Sequence, residues 1–132
     1  MSGATVLDQD TTDASGNYEF TDVVDGSYTI DASTTIAWGG VNIVDALIIK
    51  VNSATFVPGT MTFIAADVNE STTVTIVDAL IIKNWVGTGI KVAAWSAPDW
   101  IFDIPAITVV ASNITQDIEG ICSGDANASY IP

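Results

Sequence analysis

Apolar and polar positions alternate with a period of two through the first third of the chain. Tyr18 and Phe20 fall on one side, with Asn17 and Glu19 on the other, and Tyr28, Ile30 and Ala32 repeat the alternation. Between these runs, "DASGN" and "VDGS" supply the Asp, Gly and Asn that tight turns need for positive φ or for bonding their own backbone. The pattern predicts a β-meander. The alternation returns in "WIFDIPAITVVASNITQDIEGIC", with Trp100, Phe102 and Ile104 on one side, while Pro105 breaks the run or marks an edge. In the middle of the chain the period changes to that of a helix. "VDALIIKNWV" predicts a helix entered through Asp78, with Val77, Leu80, Ile81 and Trp85 as one apolar stripe. Ile82 and Val86 extend the apolar surface around it, so one face can meet a sister helix and the rest must meet the strands or another protein.

That sister helix is written in the sequence. "VNIVDALIIK" at Val41 to Lys50 and "VTIVDALIIK" at Val74 to Lys83 share nine of ten letters at an offset of 33. Ahead of the second copy stands "DVNESTTVTIVD". Counted from Asp67, oxygen-bearing side chains fall at positions 1, 3, 5, 9 and 12: Asp67, Asn69, Ser71, Thr75 and Asp78. This is the spacing of a calcium loop, because a hard cation needs six or more oxygens at one point and a looped backbone turns its odd-numbered residues inward. The Thr73 carbonyl would serve position 7, and Thr75 would act through a water. The competing reading is a polar turn in which Asp78 only caps the helix.

The first copy lacks its front half. Thr34, Ile36 and Trp38 stand at positions 1, 3 and 5, where only the threonine offers a side-chain oxygen, while Asn42 and Asp45 keep positions 9 and 12. The end of the chain carries the missing pattern: in "GDANASYIP", Asp125, Asn127 and Ser129 repeat the spacing of Asp67, Asn69 and Ser71. A split site is therefore expected, with Asp125, Asn127 and Ser129 in front and the Gly40 carbonyl, Asn42 and Asp45 behind. Chance recurrence of small polar residues is the alternative.

Composition narrows what such loops can serve. The 132 residues carry 48% hydrophobic residues and a formal net charge of −13, with no histidine. That is enough apolar material for a core, and a charge that repels phosphate backbones and anionic membranes. Neither nucleic acid nor membrane insertion is expected, and no apolar run is long enough for a span. One cysteine, Cys122, permits no internal disulfide and is expected to pack as a small hydrophobe; without histidine the usual zinc and iron sites are missing. The cysteine has no histidine base, and no serine lies in a nucleophile motif, so a non-catalytic protein is expected.

Two resemblances follow from these segments. "TTDASGNYEFTDVVDGSY" resembles the carboxypeptidase regulatory-like and collagen-adhesin B-type β-sandwiches of secreted proteins over about thirty residues. The isopeptide bond of some adhesins is not carried over, since Lys50, Lys83 and Lys91 all lie outside this segment. The loop followed by "DALIIK" resembles a dockerin repeat, the duplicated calcium module of cellulosome assembly, with Thr72 at position 6 where that family has glycine and Ser71 at position 5 where aspartate is common. The order of segments along nearly the whole chain resembles modules of large secreted proteins of Bacteroidetes-type bacteria.

What the resemblances imply is an α+β fold: an antiparallel β-sandwich of Ig or prealbumin type with an inserted dockerin-like pair of calcium loop-helix repeats. Its parts would be N-terminal sandwich strands over 1–33, the repeat pair over 34–93, and closing strands with the D-x-N-x-S tail over 94–132. The cofactor expected is Ca²⁺ and the location extracellular or at the cell surface. Relatives commonly have one more strand before "GATV", which would make Met1 an internal residue and leave an edge open to a partner strand. The expected function is a structural subunit that self-assembles with copies of itself, or with other segments of a longer chain, by strand or tail exchange into a filament. The alternative is an attachment module that binds a cohesin-like protein, for which the dockerin resemblance singles out loop positions 10 and 11: Ile43 and Val44, and again Ile76 and Val77.

Overall fold

The computed structural model describes residues 7–130. Four short strands and three α-helices lie among them, in the order β1 (Gly26–Thr29), α1 (Ile43–Asn52), α2 (Met61–Ala66), α3 (Ile76–Thr88), β2 (Trp100–Phe102), β3 (Ala106–Val109) and β4 (Gly120–Cys122). The chain divides into two compact units: the described part of 1–29 with Ala106–Thr115, and Ile30–Pro105 with the described part of 116–132.

The smaller unit is a two-stranded ribbon. β1 pairs antiparallel with β3, Gly26 opposite Val109 and Tyr28 opposite Ile107. The half-buried positions alternate, with Tyr28, Ile107 and Val109 on the sheltered side, but no described residue of this unit is fully buried. The Asp25 carboxylate accepts the Ala111 N–H at 2.9 Å and closes the end of the ribbon.

The expected β-sandwich is overturned. The four strands form two separate two-stranded sheets, β1–β3 and β2–β4, and no Ig-like or prealbumin-like sandwich is present among the described residues. The reason is local. The Tyr18–Phe20 run alternates as a strand should, but nearby carboxylates take its backbone donors: Asp10 accepts the Glu19 N–H at 2.7 Å, and Asp13 accepts those of Ser15 and Asn17 at 2.8 and 2.9 Å. Side chains that bond the backbone in this way compete with ladder formation. These backbone bonds also hold the exposed Asp13 carboxyl below its usual range. The C-terminal strands are divided as well, since β3 joins β1 while β2 and β4 pair with each other, Trp100 opposite Cys122.

The larger unit is built on the repeated helices. Each starts with the same reciprocal device: the Asn42 side chain caps α1 while Asp45 bonds back to the Asn42 N–H, and Thr75 and Asp78 do the same for α3. Each closes two of the backbone donors that a helix start leaves open. α1 and α3 pack on each other, burying Ala46 and Ile49 of one against Ala79, Ile81 and Ile82 of the other. Of the apolar stripe of α3, Val77 and Leu80 are about half exposed while Ile81 is buried, and Ile82, beside the stripe, is fully buried. Where a helix is apolar all round, its sequence does not mark which face turns inward. Trp38, Trp85 and Trp95 meet edge to face at 4.8 to 6.5 Å between ring centres and flank this core. The Lys91 ammonium stands 3.9 Å above the Trp38 ring and pairs with Asp99 at 2.6 Å.

α3 ends at Gly89, whose φ of +71° lets its N–H bond the Trp85 carbonyl. A Cβ at Gly89 would meet nothing within 4 Å, so alanine there costs only backbone conformation. Gly89→Ala should lower unfolding free energy by about 1 kcal/mol. Denaturant titration at unchanged m-value measures it; a neutral result would mean that this left-handed cap contributes nothing.

Candidate metal centres

The loop before α3 closes on Asp67, where α2 ends. One oxygen of the Asp67 carboxylate accepts the Ser71 N–H at 3.0 Å and the Ser71 hydroxyl at 3.3 Å, and the other accepts the Thr72 N–H at 2.8 Å. The Asn69 side-chain oxygen takes the Ser71 N–H at 3.1 Å, and the Ser71 hydroxyl lies 3.0 Å from the Thr73 carbonyl. Asp78 accepts the Thr75 N–H at 2.9 Å and, on its other oxygen, the Asn69 N–H at 3.4 Å. Asp67, Asn69, Ser71, Thr73 and Asp78 thus converge. Glu70 and Thr72 carry φ values of +54° and +72°, which let the loop turn this tightly; a β-branched residue at the latter is a strained choice.

The tail reproduces this geometry. Asp125 accepts the Ser129 N–H at 3.0 Å, the Ser129 hydroxyl at 3.3 Å and the Tyr130 N–H at 3.0 Å, bond for bond the pattern of Asp67. Ala128 takes φ +54° as Glu70 does. The tail is set against the first repeat: the Asp125 charge and the Ala126 and Asn127 N–H groups all act on the Asp45 carboxyl, which also accepts the Asn42 N–H at 2.8 Å. Gly40 lies beside them, since a Cβ there would stand 3.1 Å from an Asp125 oxygen. Asp125 and Asn127, Gly40 and Asp45 are therefore neighbours within one chain, and Ser129 is fastened to Asp125. The position 9 residues are engaged as helix caps, Asn42 on the Val44 N–H at 2.8 Å and Thr75 on the Val77 N–H at 3.2 Å.

Charge is what the two clusters leave unresolved. Asp45, Asp78 and Asp125 are at most 1% exposed and Asp67 is 7% exposed. Burial pushes the Asp45 and Asp78 carboxyls above their usual range, and the neighbouring Asp125 or Asp67 charge adds to it. No lysine answers them, for Lys50 and Lys83 are exposed and Lys91 is committed to Asp99. One Asp45 oxygen is buried with no hydrogen-bond partner. Paired carboxylates taken from water without a cation are costly, and a divalent cation would remove that cost. Among the described residues no three of His, Cys, Asp and Glu converge to hold a metal. Each cluster brings two carboxylates, and the remaining oxygens would come from amide, hydroxyl and carbonyl groups. That all-oxygen donor set fits Ca²⁺ and excludes metals that favour nitrogen or sulfur.

Sequence spacing did not reveal what fastens the tail. The Tyr130 ring lies on Gly39 and Gly40: a Cβ on Gly39 would come within 2.9 Å of the ring, and one on Gly40 within 2.3 Å of the Tyr130 Cβ. The Tyr130 hydroxyl donates to the Ala37 carbonyl at 2.9 Å. The Trp38 and Trp95 indole N–H groups hold Ser123 at 2.9 and 3.2 Å, and the Gly124 N–H reaches the Ala65 carbonyl at 2.7 Å. The available signal was the Gly-Gly pair in one half-site and the tyrosine that follows D-x-N-x-S in the other.

Ile43, Val44, Ile76 and Val77 lie in the first turns of α1 and α3, 46 to 51% exposed. No helix among the described residues is long and apolar enough to cross a membrane. Compared with known proteins, the chain matches no family model, no curated protein and no solved structure.

Proposed function

We propose that this chain is a non-catalytic, calcium-binding structural module of the extracellular space, in which two ions tie the repeated helices to their loops and to the tail. The observation that carries the reading is the duplicate cradle: Asp67 and Asp125 collect the same three donors, and each faces a buried partner carboxylate, Asp78 or Asp45. Asp67, Asn69, Ser71, the Thr73 carbonyl and Asp78 would hold one ion, with Thr75 behind a water. Asp125, Asn127, Ser129, the Gly40 carbonyl, Asn42 and Asp45 would hold the other. The ions supply charge neutralisation and cross-linking.

The module would join copies of itself. Among the described residues, the two-stranded ribbon has no buried residue and no further strand paired at either edge, an arrangement that is marginal alone and open to added strands. Because the tail already docks within its own chain, strand addition at β1–β3 is favoured over tail exchange. Repeated head to tail, such contacts build an open filament. A second reading is favoured by one observation: Ile43 with Val44, and Ile76 with Val77, present two matched apolar pairs to solvent, as an attachment module for a cohesin-like partner would.

Native mass spectrometry joined to light scattering over a protein concentration series tests the proposal. The expected result is two Ca²⁺ per chain, with Asp78→Ala and Asp45→Ala each losing one, and a particle mass that grows with concentration. Absence of bound calcium would end the calcium reading; a monomer at every concentration would end self-assembly and leave attachment to a different protein.

A further inference from the structure

Resting on the calcium reading above, we infer that the two centres are unequal, and that the ion in the split centre is the pin of a latch: it leaves first, and its loss alone releases residues 125–130 from the first repeat and opens the cover over Cys122.

The inequality follows from how each cradle is closed. The second-repeat loop is one continuous stretch, so its front and rear ligands stay together when the ion is absent. Both Asp78 oxygens are then still partnered, and Asp67 keeps contact with water. The split centre joins segments remote in sequence. Emptied, it confronts Asp45 with Asp125, both essentially without water, and one Asp45 oxygen makes no hydrogen bond of good geometry, with only the Ala126 and Asn127 N–H groups acting on that carboxyl from the tail itself. Moving the tail away rehydrates Asp125 and ends that confrontation.

Little else holds the segment. Up to Gly124 the tail is secured by the Trp38 and Trp95 indoles, the Asp99 carbonyl and the Ala65 carbonyl. Beyond it, among the described residues, the Asp125 N–H makes a local turn bond to the Cys122 carbonyl at 3.2 Å, and the hydrogen bond of good geometry that reaches a segment remote in sequence is the one from Tyr130 to Ala37. The only core side chain in the segment is Ala126, whose exposure costs little. Gly124, at φ +84°, stands between the secured and unsecured parts as the pivot. Tyr130 covers Gly39, and the Gly39 N–H in turn contacts the Cys122 sulfur at 3.5 Å. Cys122 is 1% exposed in the closed state, so lifting Tyr130 removes what lies on the glycine that contacts the thiol.

The native chain, loaded with calcium and stepped down through buffered free-calcium levels, tests this with three simultaneous readings: ions per chain by native mass spectrometry, helix content by circular dichroism, and the rate at which Cys122 reacts with an aromatic disulfide reagent. The expected result is two steps. The first removes one ion, raises the thiol rate by roughly tenfold or more through local opening, and leaves the helices intact; the second removes the other ion. Asn127→Ala, which removes a ligand but keeps both carboxylates, checked for retained helix content, should bind one ion and show the fast thiol rate at every calcium level. Simultaneous loss of both ions, or loss of the first with no change in thiol rate, overturns the latch while the calcium reading stands. No bound calcium at the outset overturns both.

Discussion

Excess chelator should lower the melting temperature of the calcium-loaded chain by roughly 15 to 25 °C. An ion that binds only the folded state, at a concentration about 100 times its dissociation constant, stabilises by about 2.7 kcal/mol, so two such ions contribute about 5 kcal/mol. At this chain length each kcal/mol moves the midpoint by roughly 3 to 5 °C. Matching the ionic strength of the two samples removes the alternative that calcium merely screens the net charge of −13. The Asp45→Asn variant sharpens the test because its effect should change sign. In calcium it removes a ligand and lowers the midpoint. In chelator it removes a buried, partly unpartnered carboxylate that faces Asp125, and raises the midpoint above that of the native chain. A variant that simply damaged the fold would lower both. Equal midpoints with and without chelator in the native chain would rule out calcium as a structural element.

What could be read from the sequence was what depends on short spacing. The loop from Asp67 to Asp78 keeps its oxygens at fixed intervals because its own backbone brings them together, and the tail repeats the interval because Asp125, Asn127 and Ser129 close the same turn. The helices were legible for the same reason, as their caps lie three residues apart. Strand pairing was not legible. The alternation at Tyr18 and Phe20 is a tertiary promise that nearby aspartates cancel, and nothing in "AITV" says that it pairs with "GSYT" while "WIF" pairs with "GIC". Nor did the helical pattern choose a face. With apolar residues on every side of α3, the choice fell to the neighbours: Asp78 must face the loop it caps, which turns Ile81 and Ile82 inward and leaves Val77 and Leu80 outside.

The tail matters more to this fold than its composition suggests, and a single methyl group should show it. Gly40→Ala should cost about 3 kcal/mol and release one of the two calcium ions, whereas Gly59→Ala should cost about 1 kcal/mol and release none. Both glycines have positive φ, +81° and +89°, so both substitutions carry the same conformational cost. They differ in what the new methyl meets. At Gly59 nothing lies within 4 Å, while at Gly40 it would fall 2.3 Å from the Tyr130 Cβ and 3.1 Å from an Asp125 oxygen. The Tyr130 Cβ is not the end of a flexible side chain that can swing aside, so relief requires the tail backbone to withdraw, taking Asp125 from the split centre. Tyr130→Gly removes the obstructing atom. If the account is right, Gly40→Ala should cost less in that background than in the native chain, and the difference between the two measures the clash directly. Ion counts by native mass spectrometry and midpoints by denaturant titration give both quantities. Equal costs at Gly40 and Gly59, with both ions retained, would mean that the tail does not lie against the first repeat in solution.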